Sequence, residues 1–160
     1  MAQVILLCGR ICSGKTTYAR HLREEMNAVV LSCDELMLTL FPQGAGEHHD
    51  ALAERARNYQ LDLARQLTGC GVNVILDWGF WTRAWRDEAR AFFGERGVPC
   101  QLHYVDAPPE IWRRHIQERN QAVREGRTQA YLVDEGLLRK LAARFEEPGE
   151  DEIDLRYVPQ

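Results

Sequence analysis

Two spacings of hydrophobic residues alternate along this chain. Val4-Ile5-Leu6-Leu7-Cys8 is a short unbroken apolar run, the pattern of a strand covered on both faces. The spacing then changes, and Tyr18, Ala19, Leu22 and Met26 fall on one face of a helix from about Lys15 to Met26. Ala28-Val29-Val30-Leu31-Ser32 reads as a second strand, with a helix beginning near Glu35. After the turn-rich stretch 41–46, Leu52, Ala56, Tyr59, Leu63 and Leu67 form the buried stripe of a long helix, which Gly69-Cys70-Gly71 ends. Residues 72–77 are a third strand. Thr82 reads as the N-cap of a helix from Arg83 to Arg96, with Trp85, Ala89, Phe92 and Phe93 inward. Residues 100–105 are a fourth strand, and Pro108-Pro109 opens another helix. A last helix over 134–145 and an alternating, half-exposed strand over 153–158 follow. Strands alternating with helices predict an α/β fold. No repeat or linker divides residues 1–160, which read as a single domain.

Composition changes this picture little. With 45% hydrophobic and 28% charged residues, the chain is ordinarily globular. Its formal charge of −4 is concentrated: residues 146–154 carry six acids and no base, and without them the rest sums to about +2. That balance neither demands nor excludes an anionic substrate. The five cysteines are scattered and form no C-x-x-C pair, as expected of reduced, structural thiols in a cytosol. No basic segment precedes Cys8-Gly9 and no stretch approaches transmembrane length, so a cytoplasmic protein without a membrane partner is expected.

Gly9-Arg10-Ile11-Cys12-Ser13-Gly14-Lys15-Thr16 fits G-x-x-x-x-G-K-[ST], the phosphate-binding P-loop, between a predicted strand and a predicted helix. Glycine at both ends lets the backbone turn tightly and approach a ligand closely. Successive N–H groups and the positive end of the helix dipole then face one point. Gly9, Ile11, Cys12, Ser13, Gly14, Lys15, Thr16 and Thr17 are the expected contacts to nucleotide phosphates. Within them, Lys15 can reach the β- and γ-phosphates and the Thr16 hydroxyl can ligate Mg²⁺.

Other groups lie where strands end. Asp34 follows the second strand, a position suited to chemistry at the carboxyl end of a sheet; with Ser32 it serves equally well as a helix cap. Asp77 closes the third strand like a Walker B acid that orients Mg²⁺. Trp78-Gly79-Phe80-Trp81 is divided between core and pocket wall, since one short loop can hardly bury three rings. In Glu47-His48-His49-Asp50 the adjacent histidines point apart, which favours a solvated loop or helix start over a metal site. Five arginines fall within residues 113–127. Arg113 or Arg114 is expected at the surface, and Arg119, Arg124 and Arg127 are expected to turn towards phosphates.

Taken together, the P-loop, Asp34, Asp77 and the arginine-rich segment resemble the small P-loop kinases: polynucleotide 5′-kinase domains, chloramphenicol phosphotransferase and zeta-toxin kinases, often described as AAA-type ATPases or kinases. The resemblance spans nearly the whole chain. It implies a three-layer P-loop NTPase fold, with a five-stranded parallel sheet flanked by helices and a short arginine-rich lid over about 119–131. It also implies Asp34 as general base, with Lys15, Arg119, Arg124 and Arg127 stabilising the transferred phosphoryl group, and residues 145–151 beside the adenine. The chain departs from the polynucleotide and antibiotic kinases in one respect, having Glu35-Leu36-Met37-Leu38 after Asp34 where they carry an arginine. Either the acceptor carries no phosphate beside its hydroxyl, or Arg83 supplies that contact. The expected activity is ATP- and Mg²⁺-dependent transfer of the γ-phosphate to a small-molecule hydroxyl. The alternatives are a nucleotide-binding ATPase or switch module, and a polynucleotide 5′-hydroxyl kinase; a nucleic-acid partner is the less favoured, because no wide basic stripe accompanies Arg55, Arg57 and Arg65.

Overall fold

The computed structural model describes residues 1–128 and 132–160. In chain order its elements are β1 (Val4–Cys8), α1 (Lys15–Met26), β2 (Ala28–Ser32), α2 (Cys33–Leu40), a 3₁₀ turn (Gly46–His48), α3 (His49–Gly69), β3 (Asn73–Gly79), α4 (Arg83–Gly94), β4 (Cys100–Val105), α5 (Pro109–Arg124), α6 (Glu135–Arg144) and β5 (Leu155–Tyr157). Among the described residues the strands form one five-stranded sheet in the order β2-β3-β1-β4-β5. Every pairing is parallel. The expected α/β P-loop fold is therefore the observed one.

Period-two alternation in β1 builds two cores. Ile5 and Leu7 pack with Ile75, Val105 and the α1 residues Tyr18, Ala19 and Leu22 on one face. Val4 and Leu6 pack with Leu61 and Ala64 of α3 and Ala89 and Phe93 of α4 on the other. Both faces of β1 are thus covered, which is why the strand is apolar throughout. The chain leaves β1 towards β2, returns through β3 and crosses to β4. Its switch point lies at the carboxyl ends of β1, β3 and β4, where sheets of this kind take ligands.

Three of the boundaries that differ from the sequence expectation bear on the site. β3 runs on through Asp77 to Gly79, where φ of +80° turns the chain out of the sheet. β5 is confined to Leu155–Tyr157, because β4 offers it only His103 to Val105 and Pro159 has no N–H to donate. Helix α5 continues through Arg119 and Asn120 to Arg124, since nothing breaks it before Gly126 (φ +69°). The stretch expected as a lid therefore lies partly on α5, and its residues 129–131 are outside the described residues. Asn120 ties the two sides of that stretch together: its Nδ2 donates to the Val133 carbonyl and its Oδ1 accepts from the Val133 N–H, both at 2.7 Å.

The acidic segment is folded onto α4. Arg86 is 1% exposed, donates through Nε to Glu152 Oε1 at 2.7 Å, and through Nη1 to the Phe80 and Glu146 carbonyls at 2.8 and 2.9 Å. Arg83 pairs with Asp151 at 2.9 Å, and Asp154 accepts from Arg90 and from the Leu102 N–H.

Candidate active site

Local geometry explains the glycines of the P-loop. A Cβ on Gly9 would stand 2.6 Å from Ser13 Oγ and 3.0 Å from the Val105 carbonyl, so no side chain fits there. Gly14 caps α1 at φ +100°, and no side chain among the described residues makes a capping hydrogen bond there. The first N–H groups of α1 are left for an anion. Cys12 adopts φ +60°, a conformation that costs a non-glycine residue energy and persists where its surroundings hold it.

Helix α5 does the holding. Trp112 Nε1 donates to the Ile11 carbonyl at 2.7 Å. His115 Nδ1 lies 3.1 Å from the Cys12 carbonyl; a carbonyl only accepts, so Nδ1 carries the proton. The loop is also closed on itself, the Ser13 N–H donating to the Arg10 carbonyl at 3.2 Å. Arg119, one turn further on, donates through Nη1 to Cys12 Sγ at 3.6 Å, and its buried Nε has no partner among the described residues. Sequence reading missed Trp112 and His115, although with Arg119 they share a helix face at i, i+3 and i+7.

Lys15, Thr16 and Asp77 converge beneath this loop. Lys15 Nζ donates to the Arg10 carbonyl at 2.8 Å, and Thr16 Oγ1 donates to Asp77 Oδ2 at 3.3 Å. Burial lowers the Lys15 pKa against the opposing pull of Asp77 and Asp34. Burial likewise raises the Asp77 carboxyl above its ordinary range, opposed by Lys15 and reinforced by Asp34. A desolvated carboxylate beside a threonine hydroxyl is a hard-oxygen pair short of positive charge, and Mg²⁺ fits it. The open helix N-terminus, Lys15 and the unpartnered Arg119 Nε fit a triphosphate.

Asp34 stands opposite, in the first turn of α2. Ser32 is the cap, its Oγ accepting from the Glu35 N–H at 3.1 Å. The Asp34 carboxylate has no hydrogen-bond or ion-pair partner among the described residues, so capping does not account for it. Asp34, Asp77, Lys15, Thr16, Arg119 and Arg127 all line one cleft of about 2610 Å³. A single small ligand takes roughly 300–1,000 Å³, so two substrates fit side by side.

Other expected residues fall elsewhere. Arg124 is exposed in the last turn of α5 and does not line the cleft. Five residues of helix put it roughly 140° around the axis from Arg119, which explains the separation. Arg127 reaches the cleft but pairs with Glu125 at 2.6 Å. Arg83 pairs with Asp151 and Asp87 and does not line the cleft. The aromatic loop is divided as expected: Phe80 is fully buried, while Trp78 and Trp81 line the cleft with Trp85. Of the segment expected beside the adenine, Phe145 and Glu146 line cavities and Glu147, Glu150 and Asp151 bond to other side chains.

A family model described as an AAA domain matches residues 4–148. The chain belongs to this AAA-domain family. The match includes the P-loop, Gly9 to Thr16. No curated protein matches the sequence. Among solved structures, the chain is similar to Chaetomium thermophilum Kti12 in complex with ADP-AlF3, with TM-score 0.71, 20% identity and coverage of 98% of this chain and 88% of that one. It is also similar to Mycobacterium tuberculosis APS kinase in complex with AMPPNP and APS, with TM-score 0.67, 21% identity and coverage of 99% and 89%. An unliganded Janibacter sugar kinase matches with TM-score 0.63, 18% identity and coverage of 99% and 85%. At these identities the likeness is one of fold, and the fold is that of P-loop kinases. No described helix is long and apolar enough to cross a membrane.

Proposed function

We propose that this AAA-domain protein transfers the γ-phosphate of ATP to a hydroxyl of a small molecule, with Mg²⁺. The observation that carries the reading is the free carboxylate of Asp34, which lines the same cleft as Lys15 of the P-loop. In a hydrolase or switch the same acid would instead position Mg²⁺ or water, so the outcome of its substitution separates the readings. The kinase-like fold and the nucleotides present in the Kti12 and APS kinase structures support the same reading.

In this scheme the N-terminus of α1 and Lys15 hold the triphosphate, Lys15 exchanging the Arg10 carbonyl for phosphate oxygens. Thr16 and Asp77 would hold Mg²⁺, which when bound supplies charge neutralisation at the phosphate oxygens. Asp34 accepts the proton of the attacking hydroxyl. Arg119 and Arg127 add positive charge over the transferred group, where preorganised charge lowers the barrier most. Arg124 is left outside this set by its position.

Asp34→Asn keeps shape and removes the base. Its kcat for transfer is expected to fall by roughly a hundred- to ten-thousand-fold, the usual worth of general-base catalysis, with ATP affinity nearly unchanged. Equal loss of transfer and of ATP binding would remove Asp34 from the role.

A further inference from the structure

Among the described residues, six arginines line the cleft: Arg20, Arg23, Arg57, Arg119, Arg127 and Arg144. Arg20, Arg23 and Arg144 are exposed, and Arg127, also exposed, pairs with Glu125. Arg57 and Arg119 are half-buried, and neither has a carboxylate partner among the described residues. A cation drawn partly out of water without a counter-ion loses hydration that nothing in the protein replaces. Arg119 lies against Cys12 of the P-loop, where a transferred phosphate accounts for it. Nothing in the scheme above accounts for Arg57.

Arg57 is fixed beside the corner that carries Asp34. One turn before it on α3, the Ala53 carbonyl accepts from the Cys33 thiol at 3.7 Å; one turn after it, Gln60 Nε2 donates to the Ser32 carbonyl at 3.2 Å. The same Gln60 amide accepts from Trp78 Nε1 at 2.7 Å. From α4, Trp85 supports the guanidinium, its ring centroid 4.1 Å away. Burial pushes the Cys33 thiol up, and the Arg57 guanidinium beside it opposes that rise. Contact with an indole face satisfies none of the five N–H donors, and no oxygen among the described residues accepts from them. Asp34, next to Cys33 in the chain, forms no ion pair with Arg57 among the described residues, and neither does Glu54 one turn away. The stretch after Asp34, Glu35-Leu36-Met37-Leu38, holds no base. The corner therefore offers one uncommitted carboxylate and one uncommitted, planar guanidinium to the same cleft.

We infer that Arg57 is an acceptor-binding residue, and that the acceptor carries an oxyanion (a carboxylate, or a phosphate or sulfate ester) beside the hydroxyl that Asp34 deprotonates; the inference rests on the phosphotransferase reading above. It deepens that reading by naming the charge of the acceptor. A guanidinium fork bonds such groups through two parallel N–H donors, which fixes the acceptor's orientation as well as its charge.

The test uses matched compounds: glycerol with glycerate, glycerol 3-phosphate and the amine serinol, and inositol with inositol monophosphate. Mg·AMPPNP fills the P-loop, so that added anions do not report on it. Binding is read from tryptophan fluorescence at a constant ionic strength of about 0.15 M, where weak surface attraction is screened. Transfer is read separately as ADP released from Mg·ATP without matching phosphate. An anionic member of each series is expected to bind roughly tenfold or more tightly than its neutral counterpart, a difference of about 1.4 kcal/mol. Arg57→Gln, which keeps helix propensity, should close that gap while affinity for Mg·AMPPNP stays as in the parent. Arg57→Lys should keep part of it, since an ammonium has the charge without the fork. Equal or tighter binding of the neutral or amine members, no fluorescence response to any compound, or a gap untouched by Arg57→Gln would overturn the inference. So would a parallel loss of Mg·AMPPNP affinity in Arg57→Gln, which would make Arg57 a structural residue. Arg57-dependent selection of anions without ADP release would uphold the subsite and overturn the transfer reading. ADP release with neutral or amine members alone would do the reverse.

Discussion

Asp77 meets two opposing demands. Its carboxyl is buried enough to titrate above the ordinary carboxylate range even with Lys15 beside it. A raised folded-state pKa gives stability that is complete below the unfolded-state value and lost as pH rises through the folded-state one. Once ionised, the side chain therefore weakens the nucleotide-free protein, and a bound cation would relieve it. The advantage of Asp77→Asn in Tm over the parent is expected to grow as pH rises, while Mg²⁺-dependent turnover is abolished. A Tm difference between variant and parent that does not change with pH would contradict this balance. Cys8 and Cys100 are shifted by burial in the same direction. Their thiols are pushed up to about 12, which leaves both as inert core residues.

At the level of elements, strands and helices were legible because each carries its own spacing and its own punctuation. Ser32, Thr82 and Asp134 cap their helices as short polar side chains do. Partnerships between distant elements were not legible, because spacing does not say what a side chain meets. Arg86 lies on the same face of α4 as Ala89 and Phe93, an inward position that forecasts a buried charge in need of an acid. The acid is Glu152, 66 residues on and 5% exposed, and only the fold reveals it. The clamp of Trp112 and His115 on the P-loop was hidden in the same way, and the position of Arg124 was not legible because the end of α5 could not be placed. Removing one partner of a buried pair strands the other and its neighbouring carbonyls. Arg86→Ala should cost roughly 3–5 kcal/mol, read as a lower urea midpoint. A variant as stable as its parent would show that the C-terminal segment does not depend on this pair.

Across the whole molecule, a parallel sheet with one switch point brings the P-loop, Asp77 and Asp34 to a single cleft. Helix α5 fixes the loop that holds phosphate, and the C-terminal segment locks α4 and the aromatic corner that form the opposite wall. A cleft of this size has room for two bound molecules, and the distribution of products decides between transfer and hydrolysis. The decisive measurement follows ADP and inorganic phosphate separately from Mg·ATP across a library of hydroxyl compounds. ADP rising without matching phosphate, for one class of compound, is the expected result and establishes a phosphotransferase. Equal release of ADP and phosphate whatever is added would contradict it and leave a nucleotide hydrolase or switch.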